Sequence, residues 1–332
     1  MVLARPLNLP ESDARLPPAV FLMGPTAAGK TELTLDLCAR FPFAVISVDA
    51  AQVYRGLDIG TAKPAADALS VVPHRLIDIR PPNQTYSVAE FRRDALAAMA
   101  DIVRGGRIPL LVGGSMFYFR TLESDLSELP SAAPVLRALM AQRAADVGWP
   151  ALHRELAAVD PANAARIDPN DAQRIQRALE IYRLTGRRLE QAPRRAGHLP
   201  YRVMKLAVAP SDRSVLHQRI EKRFADMLKL GFVDEVRGLL QTPGVHPGLA
   251  AMRTVGYRQI VEFLHGELSY NDMISKGIAA TRQLGKRQLT WLRNQGGVTW
   301  VDSAGIGAGN KGMKDSLWDY MTGKLKDIGG MI

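Results

Sequence analysis

The chain has a single cysteine, Cys38, in 332 residues. No disulfide can form within it, and zinc sites built on paired cysteines are excluded. No apolar run approaches the roughly 20 residues that a bilayer-spanning helix needs. The stretch up to Pro18 is Pro-rich, carries Arg5, Glu11, Asp13 and Arg15, and lacks the apolar centre of a secretory leader. No internal repeat is visible. These absences predict a cytoplasmic protein. What is present suits a globular fold: apolar content is 47%, and the length accommodates a core plus an insert. The net charge of +10 fits a polyanionic partner. That charge concentrates after Gln173, in Arg174 and Arg177, Arg187-Arg188, Arg194-Arg195, and from Arg282 to Arg293.

Gly24-Pro25-Thr26-Ala27-Ala28-Gly29-Lys30-Thr31 matches the phosphate-loop pattern G-x-x-x-x-G-K-[ST] at every fixed position. Its context is the one the chemistry requires. Ala19 to Met23 is an apolar run suited to a buried parallel strand, and Leu33, Leu37 and Cys38 recur at helical spacing. Amides at a helix start, together with the helix dipole, favour an anion. Lys30 adds a full charge, and the Thr31 hydroxyl is a candidate ligand for Mg²⁺. The loop therefore predicts a diphosphate or triphosphate ligand. Close behind it, Asp49-Ala50-Ala51-Gln52-Val53-Tyr54-Arg55-Gly56 leads into Asp58-Ile59-Gly60-Thr61-Ala62-Lys63-Pro64, which places a carboxylate and an amide near that grip.

Strand signals at Val20–Met23, Ala44–Val48, Arg75–Ile79 and Pro109–Val112 alternate with helix signals. The strongest helix runs from Val88 to Arg104, with a Ser87/Glu90 capping box and Gly105-Gly106 as its stop. This alternation predicts a P-loop α/β core over 19–121, a parallel sheet flanked by helices, with its ligand beyond the carboxyl ends of the strands. From Leu122 to Pro200 strand signals vanish, and a helical insertion domain is expected, with helices near Ala133–Val147, Pro150–Val159 and Ala172–Leu184. Residues 201–302 return to the core through Val203–Ala209 and end in helices at Ser214–Leu230, Val233–Leu240 and Tyr270–Asn294, with a short strand at Val298–Val301. Residues 1–18 read as a flexible start and 303–332 as a loosely structured tail.

The ordered set of motifs resembles the bacterial tRNA dimethylallyltransferases, also called tRNA isopentenyltransferases, over roughly Ala19 to Arg293. Its markers are GPTAAGKTEL at Gly24–Leu33, DAAQVYRGLDIGTAKP at Asp49–Pro64, PHRLID at Pro73–Asp78, YSVAEF at Tyr86–Phe91, VGGS at Val112–Ser115, DAQRIQRALEI at Asp171–Ile181, VGYRQ at Val255–Gln259 and ATRQLGKRQLTWLR at Ala280–Arg293. The resemblance implies transfer of a dimethylallyl group from dimethylallyl diphosphate to the exocyclic N6 amine of adenosine 37. That base lies just 3′ of the anticodon in tRNAs reading codons that begin with U. It also implies Mg²⁺ and a monomer.

An adenine amine is a poor nucleophile, so a carboxylate must take its proton as the new bond forms. Asp49 is the matching position for that base; the alternative on spacing alone is a helix-capping or Mg²⁺-associated Asp. Lys30, the loop amides of Gly24 to Thr31, Mg²⁺ and a nearby Arg stabilise the departing diphosphate. Arg219 and Arg223, one helical turn apart, are both candidates for that Arg, and both also fit a solvated basic face. The resemblance implies contact with the target nucleotide at Asp49, Ala50, Ala51, Gln52 and Ser115. Gln52 carries the donor–acceptor pair that suits an adenine edge, or is a surface amide at a strand end. A stacked anticodon-loop base must be extruded to react. The resemblance implies tRNA contact at Gln173, Arg174, Ile175, Gln176 and Arg177, at Arg253, Gly256, Tyr257 and Arg258, and at Arg282, Lys286 and Arg293. Periodicity alone reads the last of these helices as a solvated basic face.

Three positions depart from the family pattern: Ala50 replaces a Ser, Ser115 replaces a Thr, and Gly285 stands where Ala is common. The missing hydroxyl at Ala50 puts a local hydrogen bond in doubt. Two rival readings share the phosphate loop. One is a small-molecule nucleotide kinase using Asp49 on an acceptor hydroxyl; the other is an RNA-binding ATPase without transfer activity. Prenylation of free AMP would leave the helical insert and the basic C-terminal helix without a partner.

Overall fold

The computed structural model describes residues 16–123, 129–130, 132–188, 191, 199–306 and 311–327. The expected contribution of Arg194-Arg195 and most of the N-terminal stretch lie outside these residues. The chain divides into two compact units: Met1–Glu123 with Leu199–Ile332, and Ser124–His198.

The first unit is built on a six-stranded, all-parallel sheet in the order β3-β2-β4-β1-β5-β6. Its strands are β1 (Pro18–Met23), β2 (Phe43–Val48), β3 (His74–Arg75), β4 (Ile108–Gly113), β5 (Arg202–Ala209) and β6 (Val298–Asp302). Alternate side chains along each strand enter opposite cores, as period-two geometry dictates. Ala19, Phe21, Met23, Ile46, Val48 and Ala207 pack on one face. Val20, Leu22, Phe43, Val45, Leu206 and Val208 pack on the other.

Helices cover both faces: α1 (Lys30–Arg40), α2 (Ala66–Val71), α3 (Val88–Arg104) and α4 (Met116–Glu123) before the helical unit, and α9 (Arg213–Lys229), α10 (Phe232–Leu240), α11 (Tyr257–Leu264) and α12 (Tyr270–Arg293) after it. The predicted capping box of α3 forms, with Ser87 Oγ accepting from Glu90 N and Glu90 Oε2 accepting from Ser87 N. No described helix is long and apolar enough to cross a membrane.

Two expectations need correction. The strand expected over Arg75–Ile79 ends after Arg75 because Leu76 (φ 64°) and Asp78 (φ 56°) turn into the left-handed region, where extension stops. The tail after Ser303 is not loose where it is described. It forms α13 (Ser303–Ile306) and α14 (Lys311–Asp327), and α14 buries Leu317, Trp318, Met321 and Leu325 in the second core. Arg40 lies over the Trp318 ring, 5.0 Å from its centroid. The apolar positions 317, 318, 321 and 325 have helical spacing, which the glycines and lysines around them obscured. Cys38 is a free thiol pushed up to about 11, chiefly by burial.

The second unit contains α5 (Pro134–Val147), α6 (Trp149–Val159), α7 (Pro161–Ala164) and α8 (Ala172–Thr185) around Met140, Leu152, Leu156, Ile175 and Leu179. Its polar anchor is Glu180, fully buried. The Glu180 carboxylate accepts from Arg137 Nε at 2.7 Å and Nη2 at 2.8 Å, from Ala133 N at 2.8 Å and from Arg177 Nη1 at 2.5 Å. Burial opposes its charge, but the hydrogen bonds from Arg137, Ala133 and Arg177 outweigh it and hold the carboxyl down at about 2.

Glu180→Ala strands two arginines, so the helical unit should lose about 3 kcal/mol, read by urea denaturation. Because the folded pKa lies below the unfolded 4.5, this contribution is present above pH 4.5 and lost as pH falls toward about 2. Gly285 lies mid-helix with a normal backbone, and an added Cβ would sit 3.8 Å from Ile220 Cδ1 and Leu216 Cδ2, an ordinary contact. Gly285→Ala should therefore stabilise by about 0.5–1 kcal/mol, measured as a rise in Tm.

Candidate active site

The phosphate loop leaves β1 at Met23 and enters α1 at Lys30. Ala27 (φ 61°) and Gly29 (φ 88°) lie in the left-handed region, a conformation that gathers successive amides into an anion-binding concavity. The amides of Ala27, Gly29, Lys30 and Thr31 find no acceptor among the described residues. The loop is pinned from a distance: Gln288 Oε1 accepts from Thr26 N at 2.9 Å while its Nε2 donates to Gly114 O at 2.8 Å.

Lys30 is folded into the loop, its Nζ donating to Gly24 O at 2.9 Å and Pro25 O at 2.8 Å. One ammonium hydrogen is left over. Burial lowers Lys30 to about 8; the Arg223 cation pushes in the same direction and Asp49 opposes them. Arg223 is itself held down by burial, with Asp49 again opposing. Among the described residues its guanidinium has one hydrogen-bond acceptor, Thr61 O at 3.3 Å, and no ion pair. Two cations thus share a cavity of about 480 Å³ with Thr31, Asp49, Gln52 and Arg219. Half-buried like charges without carboxylate partners are costly, and an anion between them would relieve that cost.

The two arginines that the sequence left undecided now differ. Arg219 Nη1 donates to Ser303 Oγ at 2.9 Å and its Nη2 to Ser303 O at 3.1 Å, whereas Arg223 lacks such a clamp. Asp49 Oδ1 accepts from Ala51 N at 2.8 Å and Gln52 N at 3.3 Å. Asp49 therefore caps a turn and not a helix, which leaves Oδ2 without a hydrogen bond among the described residues. Ser115 Oγ accepts from Ala50 N at 3.0 Å, so Ser115 supports the turn that aims Asp49 and does not itself line the cavity.

Gln52 lines the cavity and is held by its neighbours. Its Oε1 accepts from Ser47 Oγ at 3.0 Å and its Nε2 donates to Thr61 O at 3.4 Å. The loop carrying Thr61 is held by Glu235, whose carboxylate accepts from the amides of Asp58, Ile59 and Gly60 and from Tyr257 Oη at 2.5 Å. Gly60 is required there, since a Cβ would fall 2.1 Å from the Phe232 ring. Phe232, Phe224, Met227, Ile220 and Leu284 give the cavity an apolar wall, with Phe232 edge-on to Tyr257 at 4.9 Å.

Among the described residues no cluster of three or more His, Cys, Asp or Glu could cage a metal. The oxygen donors of Thr31 and Asp49 in one cavity fit Mg²⁺ in its usual mode, held by few protein groups plus phosphate oxygens and water.

The expected RNA-contact residues divide. Gln173 and Arg174 are exposed, with Arg174 paired to Asp171 at 3.4 Å. Ile175 is fully buried, Gln176 Nε2 donates to Arg137 O at 3.0 Å, and Arg177 is bound to Glu180. Arg253, Arg258, Lys286 and Arg293 are exposed, while Gly256 is buried. Tyr257 is fully buried, and burial together with Glu235 keeps its hydroxyl protonated. Arg282 pairs with Glu221. The side chains of Ile175 and Tyr257 are thus core groups and not contact groups, a correction that follows from their position on the inward faces of α8 and α11. Sequence reasoning missed Gln288, Glu235 and Ser303. Only Gln288 had a signal: Thr281, Leu284 and Gln288 fall at i, i+3 and i+7, an inward stripe on a basic helix.

Residues 52–295 match the family model described as IPP transferase. Among solved structures, the chain is similar to the full-length tRNA isopentenylpyrophosphate transferase of Bacillus halodurans, at 33% identity and TM-score 0.67, with 94% of this chain and 97% of that one covered. It is similar also to the tRNA delta(2)-isopentenylpyrophosphate transferase of Staphylococcus epidermidis, at 30% identity and TM-score 0.65, covering 93% and 99%. A eukaryotic dimethylallyltransferase acting on tRNA shares the fold, with TM-score 0.73 at 23% identity over 92% and 80% of the two chains. With the family model spanning most of its length and full-length relatives at this identity, the chain belongs to the IPP transferase family.

Proposed function

We propose that this prenyltransferase moves a dimethylallyl group from dimethylallyl diphosphate to the N6 amine of adenosine 37 in tRNAs reading codons that begin with U, releasing diphosphate. The observation that carries this reading is the pair of half-buried cations, Lys30 and Arg223, facing an apolar wall in the cavity that also holds Asp49. Such a cavity suits an anion that carries a hydrocarbon, and the full-length relatives supply the acceptor class.

The adenine nitrogen attacks the first carbon of the dimethylallyl group as the bond from that carbon to the bridging oxygen breaks. The electron pair leaves with the diphosphate. The loop amides, the remaining Lys30 hydrogen and Arg223 offset the charge that develops there. Asp49, whose Oδ1 is occupied by the turn amides, takes the amine proton on Oδ2. Thr31 would hold Mg²⁺, which would neutralise phosphate charge when bound. The apolar wall excludes water that would otherwise hydrolyse the donor. A kinase would not need that wall, and a transfer-free ATPase would not need Asp49 beside it. The exposed basic residues Arg253, Arg258, Lys286 and Arg293 support an RNA-facing surface. We infer a cytoplasmic monomer, in keeping with the +10 charge.

The test is transfer of labelled dimethylallyl diphosphate to unmodified tRNA, with AMP and ATP as parallel acceptors. Label should appear on tRNA alone. Asp49→Asn keeps a capping oxygen, so it should lower kcat by about 10²–10⁴-fold while leaving the KM for tRNA within a few-fold. Label on AMP, or an unchanged rate in Asp49→Asn, would overturn the assignment.

Inorganic diphosphate gives a second readout. A bound anion favours protonated Lys30, whereas the free protein loses that proton near pH 8. Below pH 8 affinity should be flat, and above it Kd should rise by up to tenfold per pH unit, with proton uptake on binding. Since Arg223 helps to lower Lys30, Arg223→Gln should weaken binding at neutral pH by about tenfold or more and move the onset of the alkaline limb upward. Titration calorimetry in buffers of different ionisation enthalpy reads both effects.

A further inference from the structure

Ser303 lies beyond the last core strand, at a point where nothing in the motif pattern signals chemistry. It is nevertheless 4% exposed and touches the diphosphate machinery twice. Its hydroxyl and its carbonyl both accept from the Arg219 guanidinium, at 2.9 and 3.1 Å. Its Cβ also sits at 4.0 Å from where a Cβ on Gly29 of the phosphate loop would be. Arg219 itself lines the cavity from α9, an element that reaches it independently of the loop.

The turn that presents Ser303 is itself built. Asp302 Oδ1 accepts from Ala304 N at 2.8 Å and from Ser211 N at 3.1 Å. This joins the end of β6 to the loop that starts α9. The Asp302 carboxyl is held below its usual range; burial opposes this, and the Ala304 amide, the Ser211 donors and the Arg219 cation outweigh it. Beyond the turn, α14 anchors the segment through Leu317, Trp318, Met321 and Leu325. A long, rotamer-rich guanidinium is thus held in one orientation at the mouth of the phosphate loop by a group on a different element.

We propose that Ser303 is a positioning residue for the donor diphosphate: it holds Arg219 against the phosphate loop so that the guanidinium is already oriented when the diphosphate arrives. The assignment rests on the reading of the cavity as a diphosphate site. Preorganisation of this kind lowers the entropy lost when the ligand orders the side chain. It acts on donor binding and leaves the acceptor side untouched.

The test is a double-mutant cycle of Ser303→Ala and Arg219→Ala in the full chain, with KM and kcat for dimethylallyl diphosphate and tRNA measured beside the Kd of Mg²⁺-diphosphate. Ser303→Ala should raise the donor KM and the diphosphate Kd by about five- to tenfold, since one of the two Arg219 contacts survives through the carbonyl. The KM for tRNA and the Tm should stay at their wild-type values. In the Arg219→Ala background, adding Ser303→Ala should have no further effect. An unchanged donor KM in Ser303→Ala overturns the proposal. So does an effect that persists without Arg219, because it would mean that Ser303 acts by packing on Gly29. If the wild type binds diphosphate with the expected cycle but transfers nothing to tRNA, the functional reading fails and the positioning role of Ser303 stands.

Discussion

The structure turns on two positive charges, Lys30 and Arg223, half-buried at the carboxyl end of a parallel sheet with no carboxylate ion-paired to either among the described residues. Parallel topology makes this arrangement attainable. Every strand points the same way, so the loops after β1, β2 and β4 emerge at one edge, and they deliver the phosphate loop, Asp49 and the Gly114-Ser115 turn to one place. A buried cation is tolerated only where something compensates it. In the free protein, backbone carbonyls do so in part: Gly24 and Pro25 for Lys30, Thr61 for Arg223. A diphosphate would do so more completely.

Around this constraint, single polar side chains hold loops that must not move. Gln288 fixes the phosphate loop to the Gly114 turn, and Glu235 gathers the amides of Asp58, Ile59 and Gly60. Ser303 clamps Arg219. Each comes from a helix or turn late in the chain and acts on an element placed by the early strands. The late helices therefore do more than present exposed basic residues. They complete the phosphate-loop cavity, and through Phe224, Met227 and Phe232 they give it an apolar wall. The helical unit follows a similar rule on its own scale, with Glu180 ordering Arg137 and Arg177 in its interior. Arg177 therefore serves its own unit's core, whereas Arg174 is exposed beside Asp171.

Much was legible in the sequence alone, because the signals were local. The phosphate loop, the Ser87/Glu90 box, the apolar runs of the strands and the spacing of α8, α9 and α12 are all specified within a few residues, where backbone preference and side-chain periodicity suffice. The motif set, in order, identified the family and the chemistry. The local signal failed at Arg75–Ile79, where left-handed residues ended a strand that composition favoured, and in the tail, where a buried stripe hid among glycine and lysine. It could not say which of Arg219 and Arg223 was unpaired, that the Gln52 amide was already engaged, or that Ser115 supports the turn at Asp49. The arginine outcomes rest on partners far apart in the chain, Arg223 with Thr61, 162 residues away, and Arg219 with Ser303, 84 away; the loop contact of Thr26 with Gln288 spans 262. Spacing along a chain encodes which face a residue presents. Which donor meets which acceptor is settled only when the sheet and its helices have packed and every buried polar group must find a partner.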